Sequence, residues 1–153
     1  MKLDKIKHTN SKYSLYWKLL SYKLLTKAKD KTEFCEAVLW CGKAGNVIRS
    51  VNKKSQSAFC EYVFTEKNEI LKGTFDIFNC KSFNNKSPKS FVSKICHIMN
   101  PRMYPLIYDE NVRKSLKIKK DKEFKEKEEE YKKKVRFWSR KRIYRLDSKM
   151  WAE

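Results

Sequence analysis

Glycine and proline are scarce, three of each in 153 residues, which leaves too little turn material for a many-stranded sandwich or barrel. Long apolar runs are missing as well. None approaches the roughly 18 residues of a membrane span, and the opening "MKLDKIKHTN" has no apolar centre of the secretory kind, so a cytoplasmic protein that avoids membranes is expected. Histidine occurs twice, as His8 and His97. The five cysteines, Cys35, Cys41, Cys60, Cys80 and Cys96, form no CxxC pair and have no histidine at finger spacing, which argues against a zinc site. Most sit among apolar neighbours, as reduced thiols packed like small hydrophobes do, and none is read as a nucleophile. Neither a metal nor a cofactor is expected.

Acidic residues are outnumbered two to one, 18 against 37 basic, giving a formal charge of +19 and a pI near 9.8. A charge that large exceeds what solubility needs and sets up a field that attracts polyanions, nucleic acid first, with DNA favoured over RNA. An A-rich genome also raises lysine content, and both effects can act together. With 41% hydrophobic and 14% aromatic residues the chain is expected to fold, and its length fits a single domain over residues 1–153. Lysine, leucine and glutamate dominate and favour helix, so an all-α compact bundle is expected.

A basic tail over residues 1–12 precedes "SLYWKLLSYKLLTKA", which brings Leu15, Leu19, Tyr22 and Leu25 onto one helical face. Phe34, Val38, Cys41, Ala44 and Ile48 mark a second helix, with Thr32 placed to cap it and Asn52 to close it. Gly42 and Gly45 inside it indicate either a close neighbour or a short break. The aromatic stretch from Phe59 to Phe78 reads as one helix or two joined near Gly73, and "NCKSFNNKSP" is the clearest loop. A short helix follows, burying Phe91, Val92, Ile95, Cys96 and Met99, until Pro101 and Pro105 end it. Asp109 stands where an acid opens the next helix. Residues 119–142 read as one charged helix held by Glu and Lys neighbours four apart. At its basic end Arg136, Arg140, Lys141 and Arg142 interleave with Phe137, Trp138 and Tyr144, a mixture suited to phosphate contacts and base stacking.

The most informative segment is "KSPKSFVSKICHIMNPRMYPLIYDENVRKSL", residues 86–116, and within it the proline-flanked strip "YPLIYDENVRKSL". It resembles the core of the helix-hairpin-helix DNA glycosylase superfamily, particularly the oxoguanine glycosylase-like branch. The resemblance is local, with "RLDSKMW" near the end similar to an aspartate-and-tryptophan helix of relatives. It implies a helix-hairpin-helix-like core and maps the family's catalytic aspartate onto Asp109, which would stabilise the cationic sugar as the base departs. It also implies a lysine that attacks the sugar carbon as an amine and forms a Schiff base. Lys89, 20 residues before Asp109, is the first choice for that lysine, and Lys94, 15 before it, the second. The glycine-rich hairpin of the family is replaced by "NKSPKS", which assigns the phosphate grip to Lys86, Ser87 and Ser90, with Arg102, Arg113 and Lys114 beside them. No four-cysteine cluster supports an iron-sulfur version.

Two other readings stay open. One is a non-catalytic DNA or RNA binder of a mobile element, phage or defence locus. The other is a ribonuclease toxin using His97. Asp109 also fits a plain helix cap, Lys89 a loop lysine, and His97 a half-buried helix residue.

Overall fold

The computed structural model describes residues 11–152, so most of the expected tail lies outside the described residues. Among these the chain is all-α. Its helices are α1 (Ser11–Lys27), α2 (Lys31–Ala44), α3 (Gln56–Lys72), α4 (Lys89–Met99), α5 (Glu110–Ser115), α6 (Asp121–Lys134) and α7 (Arg140–Ala152), joined by loops holding short 3₁₀ turns. No helix among the described residues is long and apolar enough to cross a membrane.

The bundle is built around α4. Every residue from Phe91 to Met99 is buried, where the sequence pattern indicated only one apolar side. The difference arises because α1, α2 and α3 all pack on this helix, so its polar residues Ser93, Lys94 and His97 are enclosed too. Burial of such groups is tolerable only when each is hydrogen-bonded. Ser93 meets this condition through its Oγ, which accepts the Tyr108 backbone N–H at 2.6 Å.

Thr32 lies inside the first turn of helix α2 and does not cap it. Asp30 is the cap, its Oδ1 accepting from the Glu33 N–H at 2.8 Å, while Glu33 reaches back to the Lys29 N–H. The helix ends at Gly45, well before Asn52. Its two glycines act differently. At Gly42 a Cβ would lie 2.4 Å from the Phe91 ring, so α4 approaches closer than any side chain allows, whereas Gly45 stands at the helix end, before Asn46 at φ 56°. Helix α3 runs unbroken to Gly73, whose left-handed backbone at φ 80° closes it.

The expected helix over residues 119–142 is two. Val135, completely buried, plugs the bundle where α6 stops, and residues 135–139 turn the corner into α7. Burying that valine requires the chain to bend, and the charge-rich α6 offers just one fully buried side chain, Phe124, to hold it down.

Candidate nucleic-acid interface

Asp109 caps α5, its Oδ1 accepting the Val112 N–H at 2.8 Å. Lys89 turns elsewhere. Its Nζ lies 3.4 Å from Asp121 Oδ2, 5.5 Å from the Phe78 ring centre and 5.8 Å from that of Tyr108. The Tyr108 hydroxyl donates to the other oxygen of Asp121 at 2.7 Å, completing a small surface network that ties α4 to α6. Lys94, by contrast, is buried at 4% exposure, donates to the Gly45 carbonyl and lies 6.0 Å from the Trp17 ring centre. Burial lowers its pKa, opposed by the carboxylates of Asp109 and Asp147. Of the two lysines, Lys94 is thus enclosed in the bundle while Lys89 reaches the surface.

Deeper still lies a constellation that the sequence did not single out. Lys18, on α1, is 1% exposed and forms an ion pair with Asp147 of α7 at 2.5 Å. The same ammonium lies 3.4 Å from His97 Nε2, and His97 Nδ1 lies 2.8 Å from the Tyr104 carbonyl. Since a carbonyl can only accept, Nδ1 carries the proton and Nε2 faces Lys18 as an acceptor. Burial, with Lys18 beside it, pushes the His97 pKa down to about 3, so the ring is neutral at ordinary pH. Burial alone would raise Asp147, yet Lys18 and His97 hold its carboxyl below the usual range. His97 is thus fully enclosed rather than half-buried. The thiols of Cys41 and Cys60 are pushed up to about 12 by burial and stay protonated.

The outer surface at the α6–α7 corner differs in character. Phe137 is 87% exposed, the most open large apolar side chain described, and the Arg136 guanidinium lies 5.2 Å from its ring centre. Beside it Arg142 stacks 3.8 Å over Trp138, Lys134 lies 5.9 Å from the same ring, and Arg102 donates to the Trp138 carbonyl at 3.0 Å. An exposed ring among cations loses apolar contact in water and offers a face to stack on. Lys141 is exposed on the first turn of α7.

Arg140 faces the other way. It stacks 3.6 Å over Tyr22 and donates to the Ile98 carbonyl at 2.7 Å, fastening α7 to α1 and α4. The remaining basic and hydroxyl candidates lie at the loop before α4 and on α5. Lys86 closes a tight turn on Phe83, Ser87 sits 3.7 Å from the Cys80 thiol, and Ser90 lies half-buried in the first turn of α4. Arg113 stacks 4.9 Å from the Tyr108 ring centre, and Lys114 pairs with Glu110 at 3.0 Å. Comparison with known proteins found no matching family model, curated protein or solved structure.

Proposed function

We propose that the protein binds nucleic acid, DNA in the first instance, and that the α6–α7 corner is where an unpaired base meets it. The observation carrying this reading is Phe137, left 87% exposed among Arg136, Trp138 and Arg142 in a chain of formal charge +19. Phosphates are held by the arginines and lysines, and the rings supply stacking that any base satisfies. Stacking of this kind is worth about 1–3 kcal/mol per base, so Phe137→Ala should weaken binding of a labelled single strand by roughly 5- to 150-fold. Fluorescence anisotropy against single-stranded DNA, single-stranded RNA and duplex measures this directly. Unchanged affinity in the variant, or no binding by the parent at low salt, would sink the reading.

A second reading rests on the residues paired by the sequence, Asp109 with Lys89 or Lys94. In this reading the fold is glycosylase-like: the N-glycosidic bond breaks, the base leaves with the electron pair, a lysine amine bonds to the sugar carbon in its place, and Asp109 steadies the cationic sugar meanwhile. Borohydride then traps a covalent adduct on damaged or uracil-containing duplex, and Lys94→Ala or Lys89→Ala abolishes it according to which amine reacts. Asp109→Asn separates the readings, because asparagine caps a helix as well as aspartate does but carries no charge. It spares a binder and disables an enzyme.

A further inference from the structure

An open groove of about 640 Å³ runs between α1 and α2. Only residues 28–30 link these helices, so they pack antiparallel as a hairpin, and α1 turns its other sides to α4 and α7 while α2 turns its own to α3 and α4. The groove floor is apolar. Leu20, Leu24 and Trp40 line it, and Leu24 remains 37% exposed. Its rims are charged and sorted by helix, with Lys23 and Lys27 along α1 and Glu33 and Glu36 along α2, all four exposed. Lys31, on another side of α2, is already paired with Glu61 of α3 at 2.7 Å. The four rim residues form no ion pair among the described residues, although Glu33 accepts the Lys29 N–H.

An occupant of one sign meets repulsion from one rim whichever way it lies, so neither a polyanion nor a uniformly basic segment suits this groove. The same surface turned about a two-fold axis suits it. With the axis parallel to the helices, α1 of one copy rests on α2 of the other, and heights along the helices are kept. Lys23 and Glu36 stand six and seven residues from the middle of the link, and Lys27 and Glu33 two and four. At a rise of roughly 1.5 Å per residue each lysine then lies within about 3 Å of the height of a glutamate on the other copy. An axis across the helices fails this condition, because it sets lysine on lysine. The formal charge of +19 on each chain opposes any pairing, but salt screens that repulsion beyond about 8 Å and leaves the rim contacts to choose the orientation.

We propose that the α1–α2 face is an interface between two copies of this chain, related by a two-fold axis parallel to the helices, with Leu20 and Leu24 of one copy against Trp40 of the other and each lysine rim on the opposite glutamate rim. Two helices of 17 and 14 residues offer a face of roughly 500 Å² per copy, at the low end for a specific contact, so the dimer is weak and concentration-dependent. The interface shares no residue with the α6–α7 corner and stands without the nucleic-acid reading.

Sedimentation velocity on the full chain, free of nucleic acid, tests this between about 1 and 200 µM, a range chosen for a contact of this size. The mass is expected to climb from that of one chain towards that of two. Leu24→Gln, at an exposed position, should weaken association about tenfold by removing apolar contact. Lys23→Glu and Glu36→Lys should each weaken it by about as much, since each sets like charges opposite one another twice per dimer. Mixed in equal amounts, these two variants should pair with each other about as well as the parent pairs with itself, because every rim contact then joins opposite signs again. Circular dichroism melts establish that the variants are folded, and should Leu24→Gln not fold, the charge-reversed pair decides alone. A parent that keeps the mass of one chain throughout, a folded Leu24→Gln that associates as before, or folded charge variants that stay apart when mixed would each overturn the proposal. Phe137→Ala should dimerise like the parent, and its failure to do so would move the contact to the α6–α7 corner and overturn the proposal as well.

Discussion

At the scale of the residue, single side chains decide how near the helices come. Gly42 sits where a Cβ would press 2.4 Å from the Phe91 ring, and that ring is itself completely buried among core neighbours. An alanine there has better helix propensity by about 1 kcal/mol, but the ring has no room to retreat. Gly42→Ala should therefore destabilise the protein by roughly 1–3 kcal/mol, measured by urea unfolding, and shortening the ring with Phe91→Leu in the same chain should recover part of the loss. Additive losses from the two changes would disprove the contact. The two glycines were visible in the sequence as an anomaly inside a helical pattern. Which of them lay under the Phe91 ring and which ended the helix was not, because Phe91 lies far along the chain.

At the scale of the element, α1, α4 and α7 are joined by buried polarity as much as by apolar packing. Lys18 looks like one more lysine in "SLYWKLLSYK", and the apolar spacing there points to Leu15, Leu19, Tyr22 and Leu25 as the inner face. Of those only Leu25 is fully buried, because the helix turns so that Trp17, Lys18 and Ser21 face inward. The partner that makes this tolerable, Asp147, lies 129 residues away, beyond the reach of any periodicity argument. Asp147→Ala leaves a buried ammonium without its counterion and should cost roughly 3–5 kcal/mol. Replacing both partners, as Lys18→Met with Asp147→Leu, should cost far less than that single change. A double-mutant cycle on unfolding free energies checks the coupling, and a double variant as unstable as the single one would refute it.

At the scale of the whole molecule, a buried histidine and a half-buried glutamate tie stability to pH in opposite directions. The His97 pKa falls from 6.5 unfolded to about 3 folded, so the unfolded chain binds the extra proton first and stability drains away as pH falls below about 6.5. Burial raises Glu128 from 4.5 to about 8, so the unfolded chain loses its proton first and stability declines as pH climbs from about 4.5 towards 8. Each contributes up to about 1.4 kcal/mol per pH unit inside its window. Relative to the parent chain, His97→Gln should gain stability at pH 4 over its value at pH 7, and Glu128→Gln should gain at pH 8 over pH 4. Thermal melts across pH 4–9 test both, and a variant-minus-parent difference that stays level with pH would contradict the assignment. The same scale carries the charge. With 37 basic residues against 18 acidic, oligonucleotide affinity should fall steeply with salt, the logarithmic slope reporting how many phosphates are engaged.

Composition and periodicity were enough to determine an all-α chain, its helix-breaking prolines, the cap at Asp109 and the surplus of positive charge, because each depends on neighbours within a turn or two, or on sums over the chain. The enclosure of α4, the corner at Val135, the inward turn of Lys18 and Arg140, the exposure of Phe137 and the sheltered carboxyl of Glu128 were decided by the tertiary structure alone. Burial and pairing are set by what lies across the bundle, and a residue type says little about its environment until distant helices meet around it.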